Sequence, residues 1–242
     1  MERRESTSAV ADAVREVRRR IDLACRRSGR EPESVRLIAV TKSVAVDAVR
    51  RAAIAGVADF AENHAKGLAV KAPEVASTWH FIGKVQRGTA ALIAAHADVI
   101  HSAEPGDGLD AVARRAETIG KRIRCLAQVD YAGHRQGAAP EDIGAFLGHL
   151  RTLPGLEVIG LMTLPPPTAN PEGSRPYFAR LRELRDALAS SHPALQELSM
   201  GMSADYEVAV EEGATMVRIG TALFGARPEG RARGGAASSR EF

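Results

Sequence analysis

Over residues 8 to 28, Val10, Val14, Val17, Ile21 and Ala24 recur at three- and four-residue spacing, with arginines on the opposite face. That stripe predicts one amphipathic helix. The pattern then changes. Short apolar runs fall at 35–41, 58–62, 79–83, 98–103, 124–130, 156–164, 197–200 and 215–219, each of a length suited to a strand buried on both faces. Helix-like stretches lie between them, at 46–55, 109–119, 141–150 and 177–189. Strands alternating with helices predict parallel βαβ units. Eight units in about 200 residues fit a closed (β/α)8 barrel. An open doubly wound sheet is the competing architecture, but it would bring a glycine-rich turn after the first strand. That turn is instead Thr41-Lys42-Ser43-Val44. The expected fold class is therefore α/β, a TIM barrel with an additional N-terminal helix and no second β-domain. The expected organisation is helix and lead-in over 1–34, barrel over 35–227, and a disordered tail over 228–242, where Gly, Ala, Ser and Arg follow no period.

Composition narrows the function classes. Hydrophobic content of 45% and charged content of 26% are those of an ordinary globular protein. The net charge is only +3 and aromatics make up 4%, so the stacking surface of a nucleic-acid binder is not expected. Cys25 and Cys125 lack metal-like spacing and read as reduced structural thiols. No apolar run reaches the length of a membrane span, and Met1-Glu2-Arg3-Arg4-Glu5 lacks the apolar stretch of a signal peptide. A cytoplasmic location is the expectation. The run from Pro165 to Gly173 is proline-rich and should be an exposed loop on the functional face.

The chemistry concentrates where strands end. Leu37-Ile38-Ala39-Val40 leads almost directly into Lys42, and an ammonium at the end of a buried run needs a purpose. It is either a surface lysine or an amine at a barrel mouth. The C-terminal strand ends also carry Glu62-Asn63, His80 and Gly83, Met162-Thr163, Ser199–Ser203 and Arg218–Thr221. Barrels bind phosphate with the loops after strands seven and eight. Here those loops are Ser199-Met200-Gly201-Met202-Ser203 and Arg218-Ile219-Gly220-Thr221. Two small-residue loops and a lysine suggest pyridoxal 5'-phosphate (PLP), whose aldehyde reacts with an amine and whose phosphate wants N–H donors. Each residue alone has an ordinary reading: Ser203 as a helix N-cap, Arg218 in a surface ion pair, His80 as a core histidine. Convergence of strand ends one, seven and eight on one face favours a site.

The stretches LIAVTK, AEN, WHFIGKVQ, GLMTLPP and LSMGMSADYEVAVEEGATMVRIGTALFGAR, with Phe178, run from residue 35 to 227. They resemble the pyridoxal phosphate homeostasis protein family, which shares the barrel of fold-type III enzymes such as alanine racemase. The resemblance implies that Lys42 is the Schiff-base lysine and that Ser203, Gly220 and Thr221 hold the phosphate, helped by the backbone of the 200–202 turn. Asn63 and Met200 complete the implied cofactor-binding set, and Arg218 would face the pyridine nitrogen. A guanidinium there keeps that nitrogen unprotonated, which mutes carbanion chemistry. The sequence departs from the family where GENY is Ala61-Glu62-Asn63-His64 and LQSNK is Val85-Gln86-Arg87-Gly88-Thr89. Second lysines of the family are Val44 and, in the SKSG loop, the stretch Arg135-Gln136-Gly137. The anchor and the phosphate cup are kept; the lysines of a secondary cofactor site or transfer path are not.

The implied function is to hold PLP as a lysine Schiff base for intracellular homeostasis and supply, with little or no catalysis. The alternative is a single-domain PLP-dependent racemase or related enzyme. It would need a second acid/base opposite Lys42, for which His80 and His64 are candidates. Alanine racemase takes a tyrosine from a separate domain, and none of Tyr131, Tyr177 and Tyr206 has an evident base partner. A third reading is a phosphate-binding barrel without PLP. Expected partners are PLP and PLP-dependent apoenzymes, and a monomer is expected because the site is complete within one chain.

Overall fold

The computed structural model describes residues 2–133 and 136–225. The expected tail over 228–242 and the Arg135 position lie outside the described residues. Eight strands, β1 (Arg36–Val40), β2 (Asp59–Glu62), β3 (Thr78–Phe81), β4 (Val99–Ala103), β5 (Ile123–Val129), β6 (Leu156–Thr163), β7 (Glu197–Met202) and β8 (Met216–Ile219), close into one barrel in sequential order. All pairings are parallel, and β1 closes on β8 with Ile38 opposite Arg218. The expected TIM barrel is the fold.

The helices around it are α1 (Glu2–Arg27), α2 (Val46–Ile54), α3 (Ala65–Lys71), α4 (Ala90–His96), α5 (Asp107–Thr118), α6 (Ile143–Leu150), α7 (Arg175–Leu188), α8 (Tyr206–Glu211) and α9 (Thr221–Phe224). Helices α3 and α4 were not legible in the sequence. Each has seven residues, too few turns to display a period.

The pleat of the strands divides the core in two. Alternate side chains face opposite ways, so Leu37, Ala39, Phe60, Trp79 and Phe81 join the large cluster under the helices. Ile38, Ala61, Val99, Leu126, Met162 and Met216 form the smaller cluster inside the barrel. Phe60 and Trp79 pack with ring centroids 5.5 Å apart. The predicted stripe of α1 is buried, and its polar face pairs Arg20 with Glu207, and Arg27 with Glu207 and Glu211. Both cysteines are buried, and burial pushes the Cys125 thiol up to about 12. After β6, Pro165 is buried while Pro167 to Gly173 is exposed. No helix among the described residues is long and apolar enough to cross a membrane.

Candidate cofactor site at the barrel mouth

Lys42 lies on a tight turn directly after β1. The Val44 N–H donates to the Thr41 carbonyl at 2.9 Å, and Ser43 between them has φ of 62°. A left-handed residue at this position makes the turn type II-like, a place where glycine is the usual choice. The turn is pinned from behind. Lys71 donates to the Thr41 carbonyl at 2.6 Å and pairs with Glu62, whose Oε1 also accepts from the Thr41 hydroxyl at 2.9 Å. Lys42 itself is half-buried, and no described residue is its hydrogen-bond or ion-pair partner. Among the described residues its amine has no partner, whereas the ammonium of Lys71 is held by two acceptors.

The loops after β7 and β8 meet beside it. Gly201 has φ of 90°, and a Cβ there would stand 2.5 Å from the Ala209 Cβ, so the turn requires glycine. Asp205 fixes the loop by accepting from the Met202 N–H at 2.7 Å and from the Ser174 hydroxyl at 2.8 Å. Asp205, not Ser203, occupies the cap position of α8. Ser203 is thereby released to face β8, where the N–H groups of Gly220 and Ala222 both approach its Oγ at 3.4 Å. Those contacts are long for hydrogen bonds. Two N–H donors and a hydroxyl converging loosely on one point form a set that an anion's oxygens would satisfy better.

Arg218 is not in a surface ion pair. It is 3% exposed and points inside the barrel, where its guanidinium donates to the Ser199 hydroxyl and, at 3.1 Å, to the Thr163 carbonyl. Burial pushes it down to about 10, which leaves it a cation at neutral pH. Asn63 follows β2, and its buried Oδ1 has no hydrogen-bond partner among the described residues. Gly83 permits the close approach there, since a Cβ on it would fall 2.0 Å from the Asn63 carbonyl oxygen.

The structure therefore gathers Lys42, Ser203, Gly220 and Thr221 at the mouth, with Arg218 beneath them and Asn63 on the neighbouring strand end. Met200 stands apart: its side chain is buried in the layer under the helices, so only its backbone is oriented to serve the site. A cavity of about 600 Å3 opens between α1 and the loops after β1 and β8, bordered by Lys42, Ser43, Arg51, Gly220 and Thr221. Its size is that of a small-molecule site.

The acid/base candidates do not gather around Lys42. His80 is buried inside the barrel with both ring nitrogens committed, to His101 at 2.7 Å and to Asp59 at 2.9 Å. His64 is exposed before α3. Tyr206 packs under Arg20, whose guanidinium carbon is 5.8 Å from its ring centroid. Tyr131 lies under Arg180 at 4.4 Å, and burial pushes its hydroxyl up to about 12. Thr41, Lys71 and Asp59 were not singled out from the sequence. Lys71 closes an unremarkable helix, and only folding puts it behind the anchor.

The family model for the alanine racemase N-terminal domain matches residues 14–228. A pyridoxal phosphate homeostasis protein of Pseudomonas aeruginosa is 40% identical over 228 residues, covering 92% of this chain and 98% of the relative. One from Aquifex aeolicus is 38% identical over 214 residues, covering 86% and 94%. The solved structure of PipY from Synechococcus elongatus with PLP bound superposes with a TM-score of 0.78 at 33% identity, covering 89% of this chain and 100% of that one. Fold, match and relatives agree, and the chain belongs to the pyridoxal phosphate homeostasis protein family, built on the alanine racemase N-terminal domain.

Proposed function

We propose that this chain binds PLP at the barrel mouth and serves its intracellular homeostasis and supply, with little or no catalysis of its own. Lys42 is the covalent anchor, Ser203, Gly220 and Thr221 hold the phosphate, and Arg218 faces the pyridine nitrogen, with Asn63 and the Met200 backbone alongside. When bound, PLP supplies an aldehyde for the lysine amine and a ring that withdraws electrons in proportion to its protonation. The residues present suit it. Asn63 offers an unsatisfied acceptor, and the Gly220 and Ala222 N–H groups have only a distant hydroxyl between them. The cation of Arg218 disfavours a second positive charge beside it, which holds catalysis low.

The single observation that carries the reading is a lysine amine without a partner among the described residues, beside a convergent set of phosphate-type donors. The bound structure of a relative 33% identical supports the cofactor. The homeostasis role is supported by the names of the curated relatives. We further propose that the protein acts as a monomer in the cytoplasm and passes PLP to apoenzymes.

The test is borohydride trapping. Purified protein incubated with PLP and reduced should carry one phosphopyridoxyl group on the peptide containing Lys42, and Lys42→Ala should carry none there while remaining folded. Labelling spread over surface lysines, or saturable binding that survives Lys42→Ala unchanged, would favour a barrel that holds phosphate without the covalent anchor. Racemisation of added alanine at an enzyme's rate would favour the catalytic alternative.

A further inference from the structure

Beneath the site, an unbroken chain of side chains runs down the interior of the barrel. Arg218 donates to Ser199 Oγ. Ser199 Oγ lies 2.7 Å from His101 Nδ1, His101 Nε2 lies 2.7 Å from His80 Nδ1, and His80 Nε2 lies 2.9 Å from Asp59 Oδ1. Ser199, His80 and His101 are each 0% exposed. Asp59 begins β2, so it sits at the end of the barrel opposite the mouth, in a groove it shares with Arg18 and Arg36.

The chemistry of the two ends fixes every proton between them. A carboxylate only accepts, so His80 must carry its proton on Nε2. A neutral His80 then accepts at Nδ1, which requires His101 to donate from Nε2. A neutral His101 accepts at Nδ1, which requires the Ser199 hydroxyl to donate to it. The serine oxygen is left to accept from Arg218, which can only donate. One arrangement satisfies all four contacts, with a cation at one end and an anion at the other. Its neutral middle agrees with the surroundings: burial lowers both histidines, Arg36 and Arg124 add to this at His80, and His80, Arg218 and Arg36 add to it at His101. Only Asp59 opposes it, at His80.

We propose that Asp59 is a positioning residue for the cofactor site: acting through the His80 and His101 tautomers, it orients the Ser199 hydroxyl that holds the Arg218 guanidinium under the barrel mouth. No other acceptor in the chain imposes a direction, so without a carboxylate at position 59 both imidazoles are free to reverse. A reversed His101 would donate to Ser199, whose oxygen would then accept from both His101 and Arg218 while its own proton turns to another acceptor, so the hydroxyl beneath Arg218 loses its fixed orientation. The consequence for PLP rests on the function proposed above; the tautomer lock does not.

Nitrogen-15 NMR of the imidazoles in the protein without added PLP tests the lock directly. At neutral pH both histidines should show the Nε2–H tautomer. Asp59→Leu should shift the His101 nitrogens, although Asp59 does not touch His101, and Asp59→Glu, which keeps an acceptor-only carboxylate, should restore the wild-type pattern. If Asp59→Leu does not fold, Ser199→Ala applies the test from the other end: with Asp59 in place both histidines should keep the Nε2–H tautomer, and a reversal there would overturn the proposal. In a second arm, Asp59→Leu should weaken PLP binding about tenfold with Lys42 still labelled by borohydride, and Asp59→Glu should bind nearly as the parent does. An Nδ1–H tautomer of His101 in the parent, or a His101 spectrum indifferent to position 59, would overturn the proposal. A parent with the predicted tautomers that takes up no PLP would overturn the cofactor reading and leave the lock standing.

Discussion

Lys71 Nζ stands 2.6 Å from the carbonyl oxygen of Thr41, the residue before the anchor lysine, and pairs at the same time with Glu62. One buried ammonium thus ties the end of β1 to the end of β2 and leaves the Lys42 amine without a partner among the described residues. Lys71 and Glu62 are 8% and 2% exposed, so removing one partner strands the other charge. Lys71→Met should cost about 3–5 kcal/mol of stability, measured by urea denaturation. Adding Glu62→Gln should recover a large part of that loss. Borohydride labelling of Lys42 should slow in the single mutant, because the turn that presents it has lost its rear support.

Ser43 carries the backbone strain of the same turn, with φ of 62°. A side chain in this region costs on the order of 1–2 kcal/mol, less for small polar residues. Ser43→Gly should be neutral or stabilising by up to about 1 kcal/mol and should label at Lys42 as the parent does. Ser43→Val, β-branched where φ is positive, should destabilise and displace the lysine. Comparing thermal midpoints and labelling rates of the pair checks this.

The cup after β7 and β8 should discriminate the phosphate ester from the free alcohol. A hydrogen bond to a charged group contributes about 1.5–3 kcal/mol. Ser203→Ala with Thr221→Val should therefore weaken PLP by roughly a hundredfold or more while leaving pyridoxal almost unaffected. Titrating both ligands against both proteins provides the comparison, and equal losses for the two would place the phosphate elsewhere.

The buried histidines predict the acid limit. Burial holds His80 below its ordinary 6.5 and His101 well below it. Each is neutral when folded and takes up its proton on unfolding, so the unfolded state binds more protons in acid. Stability should be fully present above about pH 6.5 and fall as the pH drops below it, continuing through the lowered folded values. The urea midpoint, followed from about pH 7.5 down to about 5, should decline, and His101→Gln should flatten the decline while lowering stability at neutral pH.

The sequence alone determined the barrel and most of its mouth. The helical stripe of α1 and the short apolar runs are local patterns, and a buried parallel strand must be apolar whatever surrounds it. Lys42, Gly220 and Thr221 were legible because a barrel delivers strand ends to one face. Three things were decided only by the tertiary structure. Met200 and Arg218 occupy similar strand-end sequences, yet the pleat sends Met200 outward under the helices and Arg218 inward. Ser203 reads as a helix cap until Asp205 takes that position and frees its hydroxyl for β8. Asp59, His80, His101 and Ser199 come from four different strands and share no local signal. Their contacts follow from barrel closure and strand stagger, which set partners far apart in the chain and which no neighbouring residue encodes.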